Sequence, residues 1–355
     1  MKSLRINNRS IGDDHPVYFI ADIAANHDGS LSRAIDLIHL AAESGACAAK
    51  FQHFTADTII SKLGFEALGN IKSHQSSWKK SVYQTYSDAS LNSGWTSILY
   101  KECEKANIDF FSSPYSIQLV DEIDEYVPAY KIGSGDITWI EIIKYIAKKQ
   151  KTYMLATGAS SLEDVVRAVE EAYNINTNLC LMQCNTNYTA EQENFKYINL
   201  NVLKKYKEMF PELILGLSDH TPGHATVLGA IALGARVIEK HFTDDAKRIG
   251  PDHKFSMNPG GWKEMVNRAN ELDNALGSNI KKIEDNEKES SIVQRRSLYA
   301  NKTLSKGHIL RRDDISILRP CPENSIHPYE IEKVIGMRLK EEVAEGIRIQ
   351  WKNLN

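Results

Sequence analysis

The chain has 355 residues, with 43 Lys and Arg against 46 Asp and Glu, giving a formal net charge of −3. That length exceeds most single domains and suits one large barrel plus a small module. The nearly balanced, interspersed charge argues against nucleic acid or a membrane surface as partner. No run approaches the roughly 18 apolar residues of a membrane helix, and no signal core opens the chain. The five cysteines form no CxxC pair and read as reduced core thiols, so a cytoplasmic location is expected.

After a polar start, residues 17–23 (VYFIADI) read as a strand, and Asn26-His27-Asp28-Gly29 as a turn. Ser30 can cap a helix to Ser44, with Leu31, Ala34, Ile35, Ile38 and Ala41 at helical spacing. A strand at 46–52 precedes an irregular polar insertion over 54–90, of a length usually functional or disordered. Helices are predicted near 92–106, 116–126, 138–148, 161–173 and 197–209. Between them lie strands at 108–112, 129–133, 152–156 and 179–184.

The stretch 213–244 then repeats the unit: a strand at 213–218, a helix with Pro222 near its first turn and Gly234 as C-cap, and a strand at 236–241. Eight strands alternate with helices, several as near-continuous apolar runs, the mark of parallel strands buried on both faces. The expected fold is α/β, a closed (β/α)8 TIM barrel over 1–278. A doubly wound sheet would want a glycine-rich phosphate loop after the first strand, and ADIAANHDGS has one glycine. Residues 279–294 read as a charged linker and 295–355 as a small β-rich domain with Lys-Gly and Glu-Gly turns.

Barrel enzymes build their sites at the carboxyl ends of the strands. Those ends carry Asp22, Asn26 and His27; Lys50 and Gln52; Ser112 and Ser113; Lys131, Ser134 and Asp136; Thr157; Thr186 and Tyr188; Ser218, Asp219 and His220; Glu239 and His241. Adjacent strands would set His220 beside His241, where two imidazoles can hold a divalent metal, or where one caps a turn and the other packs under a loop. Lys50 and Lys131 among hydroxyls suit a small multiply charged anion, or neutralise neighbouring acids. Asp219 could fix the His220 tautomer or cap the next helix.

The motifs ADIAANHDGS, AAKFQ, FFSSPYS, YKIGSGD, LATG, LSDHTPG and IEKHFTDD, with GPDHKFSMNP and a later Arg-Pro, closely resemble the sialic acid synthases. The resemblance implies a TIM barrel followed by an antifreeze-like (SAF) domain. It implies condensation of phosphoenolpyruvate with an N-acylated mannosamine-type sugar, with phosphate lost by C–O cleavage. N-acetylmannosamine giving N-acetylneuraminate is the first expectation. A 2,4-diacetamido-trideoxyhexose giving legionaminic or pseudaminic acid is the alternative.

Carried over by motif, His220 and His241 match metal ligands, usually for manganese, with magnesium or cobalt as alternatives. Lys50, Ser113, Lys131, Ser134, Thr186 and Ser218 match positions around phosphoenolpyruvate. Asp22, Gln52, Asp136, Tyr188 and Asp252 match the sugar end, and Glu239 is the candidate for proton handling. Arg319 matches an arginine that reaches the sugar from the other subunit of a domain-swapped homodimer. Asp22 stands where N-acetylneuraminate synthases commonly carry Glu, and Ala156, Thr186 and RPCPENSIHP also depart from the usual pattern. A metal-independent Schiff-base aldolase using Lys131 or Lys50 is the rival chemistry. A sugar- or ice-binding role for the small domain is the non-enzymatic one.

Overall fold

The computed structural model describes residues 3–68, 75 and 78–355, so part of the 54–90 insertion lies outside the described residues. Two compact units divide the chain, Met1–Gly277 and Ser278–Asn355.

The first unit opens with a hairpin, β1 (Leu4–Ile6) and β2 (Arg9–Ile11), where only a polar start was expected. Eight strands follow: β3 (Tyr18–Asp22), β4 (Ala48–His53), β5 (Asp109–Pro114), β6 (Ala129–Ile132), β7 (Thr152–Ala156), β8 (Leu179–Cys184), β9 (Ile214–Asp219) and β10 (Ala235–His241). Each matches a predicted strand to within two residues. They pair in chain order, all parallel, and β10 closes on β3 to complete the barrel.

The helices are α1 (Leu31–Glu43), α2 (Ala56–Ile59), α3 (Lys62–Ala67), α4 (Val82–Ala89), α5 (Thr96–Lys105), α6 (Ile117–Ile123), α7 (Ile140–Lys148), α8 (Leu162–Tyr173), α9 (Val202–Met209), α10 (Ala225–Ala232) and α11 (Pro259–Leu276). Ser30 caps α1 by accepting from Arg33 N. The described part of the insertion is not irregular, since it forms α2, α3 and α4. Pro222 does not start α10: the chain turns through 221–224 and the helix begins at Ala225, with Gly234 following its C-cap at φ +97°.

Period-two alternation decides what each strand shows to the barrel interior. Tyr18, Ile20, Ala48, Phe111, Ala129, Met154, Cys180, Met182, Ile214 and Val237 share an inner core with Leu4, Ile6 and Ile11 of the hairpin. The hairpin therefore plugs the amino-terminal end of the barrel. Burying its three aliphatic side chains contributes on the order of 1.5–3 kcal/mol apiece. The intervening residues, among them Phe19, Ala21, Ala49, Phe51, Tyr130, Leu215, Leu217 and Ile238, face the helices in a second core. Higher on six of these strands the inner face turns polar, with Asp22, Lys50, Ser113, Lys131, Ser218 and Glu239. All six are less than a tenth exposed.

The second unit carries α12 (Lys288–Val293) inside the stretch predicted as linker, then β11 (Ser297–Ala300) antiparallel to β12 (Ile315–Leu318), and α13 (Ile331–Val334). Its core is Leu298, Leu304, Leu310, Ile315, Val334, Leu339 and Ile349. Asp314 is buried there, and although burial opposes its charge, His308 at 2.7 Å and Lys302 at 2.8 Å hold its carboxyl well below the usual range. Arg319, exposed just after β12, precedes Pro320 through a cis peptide bond.

Candidate active site

The polar layer is built from two ion pairs. Lys50 Nζ lies 2.7 Å from Asp22 Oδ2, 3.9 Å from Glu239 Oε1 and 3.5 Å from Ser113 Oγ. Lys131 Nζ donates to Glu239 Oε1 at 3.1 Å, and Ser218 Oγ donates to the same oxygen at 3.2 Å. Both lysines thus neutralise acids, as one of the two sequence readings had it, while forming one buried cationic floor. Burial works against the charge on Lys50, but Asp22 and Glu239 outweigh it and raise the ammonium above its ordinary range. A Schiff-base nucleophile needs a free amine, so this environment opposes that role for Lys50.

On the adjoining rim, Ser134 Oγ accepts from Gly158 N at 2.9 Å. A Cβ at Gly158 would stand 2.5 Å from Thr186 Cγ2, so glycine lets this loop approach Thr186. His220 and His241 come together as expected, with ring centroids 5.3 Å apart. Tyr188 packs edge-on against both, at 4.3 and 6.4 Å, and Phe255 closes over His241 at 4.8 Å. A carbonyl can only accept, so the 2.8 Å contact of His220 Nδ1 with Asn185 O fixes the proton on Nδ1 and leaves Nε2 as the donor atom for a ligand. Cys184 Sγ, at 4.0 Å from the same nitrogen, is the weaker neighbour. Burial first, then the charges of His220 and Lys50, push His241 well below the ordinary imidazole range and hold it neutral.

His241 Nδ1 and Glu239 Oε2 are buried without a hydrogen-bond partner. A neutral His241 with an unused lone pair, beside a His220 whose Nε2 is left for a ligand, fits a divalent cation. Among the described residues no group of three or more His, Cys, Asp or Glu side chains is placed to hold a metal ion. The protein would therefore give two ligands and leave the other positions for water or substrate.

Beside His241 lies a cavity of about 200 Å³ lined by Gln52, Phe54, Tyr86, Tyr115, Tyr188 and Asp252. Asp252 Oδ2 accepts from Ala25 N at 3.0 Å, and burial raises its carboxyl to about 6. Burial likewise raises Asp136 to about 6. A larger opening of about 1260 Å³, with Thr186, Tyr188 and Phe255 in its wall, leads outward.

Several strand-end residues serve structure instead. Ser112 faces the helices and bonds His53 at 2.6 Å, Thr157 bonds Met182 O at 3.1 Å, and Asn26 bonds Phe242 O at 2.9 Å. Asp219 neither touches His220 nor accepts from a main-chain N–H of α10. It accepts from Thr221, Thr226 and Lys240, and these donors hold its carboxyl below the ordinary range although burial opposes them. Arg319 belongs to the second unit.

A parallel barrel with a buried polar layer at the carboxyl ends of its strands has the architecture of a barrel enzyme's active site. The NeuB family profile matches residues 37–281, and the SAF domain profile matches 295–355. The chain belongs to the NeuB family, the nonulosonic acid synthases, and ends in a SAF domain. It is 35% identical to N,N'-diacetyllegionaminic acid synthase of Campylobacter jejuni, over 89% of this chain and 94% of that one. It is 32% identical to a pseudaminic acid synthase of the same species, over 94% and 95%. The crystal structure of N-acetylneuraminic acid synthetase from Leptospira borgpetersenii superposes with a TM-score of 0.71 at 26% identity, covering 81% of this chain and 95% of that one. Among the described residues no helix is long and apolar enough to cross a membrane.

Proposed function

We propose that this enzyme condenses phosphoenolpyruvate with the open-chain aldehyde of an N-acylated mannosamine-type sugar. The observation that carries the reading is the juxtaposition of the Lys50–Lys131 floor with the His220–His241 pair at one barrel mouth. Lys50 and Lys131 hold the carboxylate and phosphate of phosphoenolpyruvate, with Ser113, Ser134, Thr186 and Ser218 as hydrogen-bond partners. Held there, C3 of phosphoenolpyruvate faces the aldehyde carbon and forms the new C–C bond. Water then adds at C2, and the tetrahedral carbon loses phosphate by C–O cleavage. His220 and His241 would hold a divalent cation, manganese in our reading, which would supply Lewis acidity at the aldehyde. Glu239, with one carboxylate oxygen unused, takes the proton that the water adding at C2 loses, or delivers one to the alkoxide formed from the aldehyde oxygen.

N-acetylmannosamine is the sugar expected from sequence. A 2,4-diacetamido-trideoxyhexose is the second reading, supported by the aromatic wall of Phe54, Tyr86, Tyr115 and Tyr188, which suits acetamido and C6 methyl groups. Phosphate release from phosphoenolpyruvate with Mn²⁺, offered both sugar types in parallel, tests the proposal. Turnover with one names the product, and none with either overturns the reading.

Asp136 gives a pH signature. As a sugar-facing carboxylate held at about 6, it acts when ionised, so its contribution is complete well above that pH and is lost as pH falls through it. The KM for the sugar should rise several-fold between pH 7.5 and 5.5, and Asp136→Asn should flatten that rise. An unchanged slope in the variant rules Asp136 out.

The reading also takes the active form to be a homodimer, with Arg319 of one chain serving the other's sugar site. Mixed Arg319→Ala and His220→Ala chains should then regain part of the activity that each lacks alone. Confirmed heterodimers without recovery would reject the shared site.

A further inference from the structure

The ladder between β9 and β10 ends at the register pair Lys240↔Asp219. His220 lies one residue beyond β9, and His241 pairs with Asp22 on the other side of β10. Main-chain hydrogen bonds therefore do not tie the two imidazole-bearing residues to each other. Where the ladder stops, a side-chain network takes over on the outer face.

Lys240 Nζ donates to Asp219 Oδ2 at 2.5 Å and to the carbonyl of Thr221, and both charged side chains are at most 1% exposed. The Asp219 carboxylate also accepts from Thr221 N at 3.1 Å, from Thr221 Oγ1 at 2.9 Å and from Thr226 Oγ1, in the first turn of α10, at 2.6 Å. The residues on both sides of His220, and the one preceding His241, are thus fixed in one closed set of bonds. Alternation along β9 and β10 makes this possible. Ser218 and Glu239 point into the barrel, so Asp219 and Lys240 must point out.

We propose that the Asp219–Lys240 ion pair is a positioning clamp, which fixes the separation of His220 and His241 and thereby their affinity for a divalent cation. The inference rests on the metal reading of those two histidines. Asp219 and Lys240 touch neither imidazole and act through the backbone that carries them. A buried pair that merely stabilised the fold would lower the melting temperature when removed and leave the imidazoles matched.

The test is Mn²⁺ binding by titration calorimetry and by water-proton relaxation on the full chain, beside thermal unfolding of each variant. The double variant Asp219→Asn/Lys240→Met removes both charges together, so that neither is left buried alone. Its Mn²⁺ affinity should fall by about ten- to a hundredfold, the usual effect of losing a group that orients a ligand. The control is Arg236→Met/Asp273→Asn, which removes the bonded pair (2.6 and 3.1 Å) at the opposite end of β10. It should keep its Mn²⁺ affinity within about twofold whatever its melting temperature.

Thr226→Val, which keeps both charges and drops one hydrogen bond, should show a smaller loss in the same direction. It decides the matter if the double variant does not fold. Wild-type affinity in the clamp variants, or an equal loss in the control, overturns the clamp alone. A wild-type chain that binds no Mn²⁺ removes the metal reading and the clamp together.

Discussion

Lys131→Met should slow phosphate release at least about a hundredfold, with KM for phosphoenolpyruvate rising as kcat falls. Lys131 is 3% exposed and has Glu239 as its partner at 3.1 Å, so water does little to screen its charge. Phosphoenolpyruvate brings a carboxylate and a phosphate into a floor that holds two cations against Asp22 and Glu239. Removing one cation leaves Lys50 alone beside two acids and turns the floor repulsive to the substrate. Methionine nearly matches the lysine stem, so little cavity opens. Glu239 keeps Lys50 at 3.9 Å and Ser218 at 3.2 Å, and the variant should remain folded. A near-wild-type kcat/KM would mean that the anion is held elsewhere.

Chelation should have the larger effect still. Stripping divalent cations should cut turnover at least about a thousandfold, the several kcal/mol that a Lewis acid supplies. Added Mn²⁺ should restore the wild-type chain and leave His220→Ala inactive. The rival chemistry predicts the reverse: turnover indifferent to chelator, and a borohydride-stable adduct on Lys50 or Lys131 with a pyruvyl substrate. The carboxylates around Lys50 keep its ammonium protonated, so no adduct is expected there. A chelator-resistant rate would sink the two-histidine site.

Much of this architecture was legible in residue order. VYFIADI, LCLMQC and their counterparts are apolar runs too short for helices, and the barrel uses them where they were predicted. The same alternation that makes Ala48 and Phe111 core makes Lys50 and Ser113 site, because period two carries one face up the strand. The His220–His241 pairing followed from adjacency of consecutive strands. What stayed hidden depends on partners distant in the chain or on main-chain atoms. Asp219 was read against its sequence neighbour His220, whereas its cation, Lys240, comes from the next strand. The tautomer of His220 is set by a carbonyl, that of Asn185, which no side-chain pattern announces. The first hairpin is two strands of three residues each, yet Leu4, Ile6 and Ile11 already alternate with polar residues there. Pro222 looked like a helix start because proline favours that position, but here it sits in the turn before α10.

That hairpin also bears on how the chain is made. Its apolar face is completed by side chains from every one of the eight barrel strands, from Tyr18 to Val237. During synthesis the hairpin leaves the ribosome before any barrel strand and must therefore wait, apolar side outward, until β10 has emerged. Contacts that span nearly the whole first unit close slowly, and an unfinished barrel exposes both an open sheet edge and this unburied face. The segment that seals the finished barrel is thus left exposed while the barrel is being built.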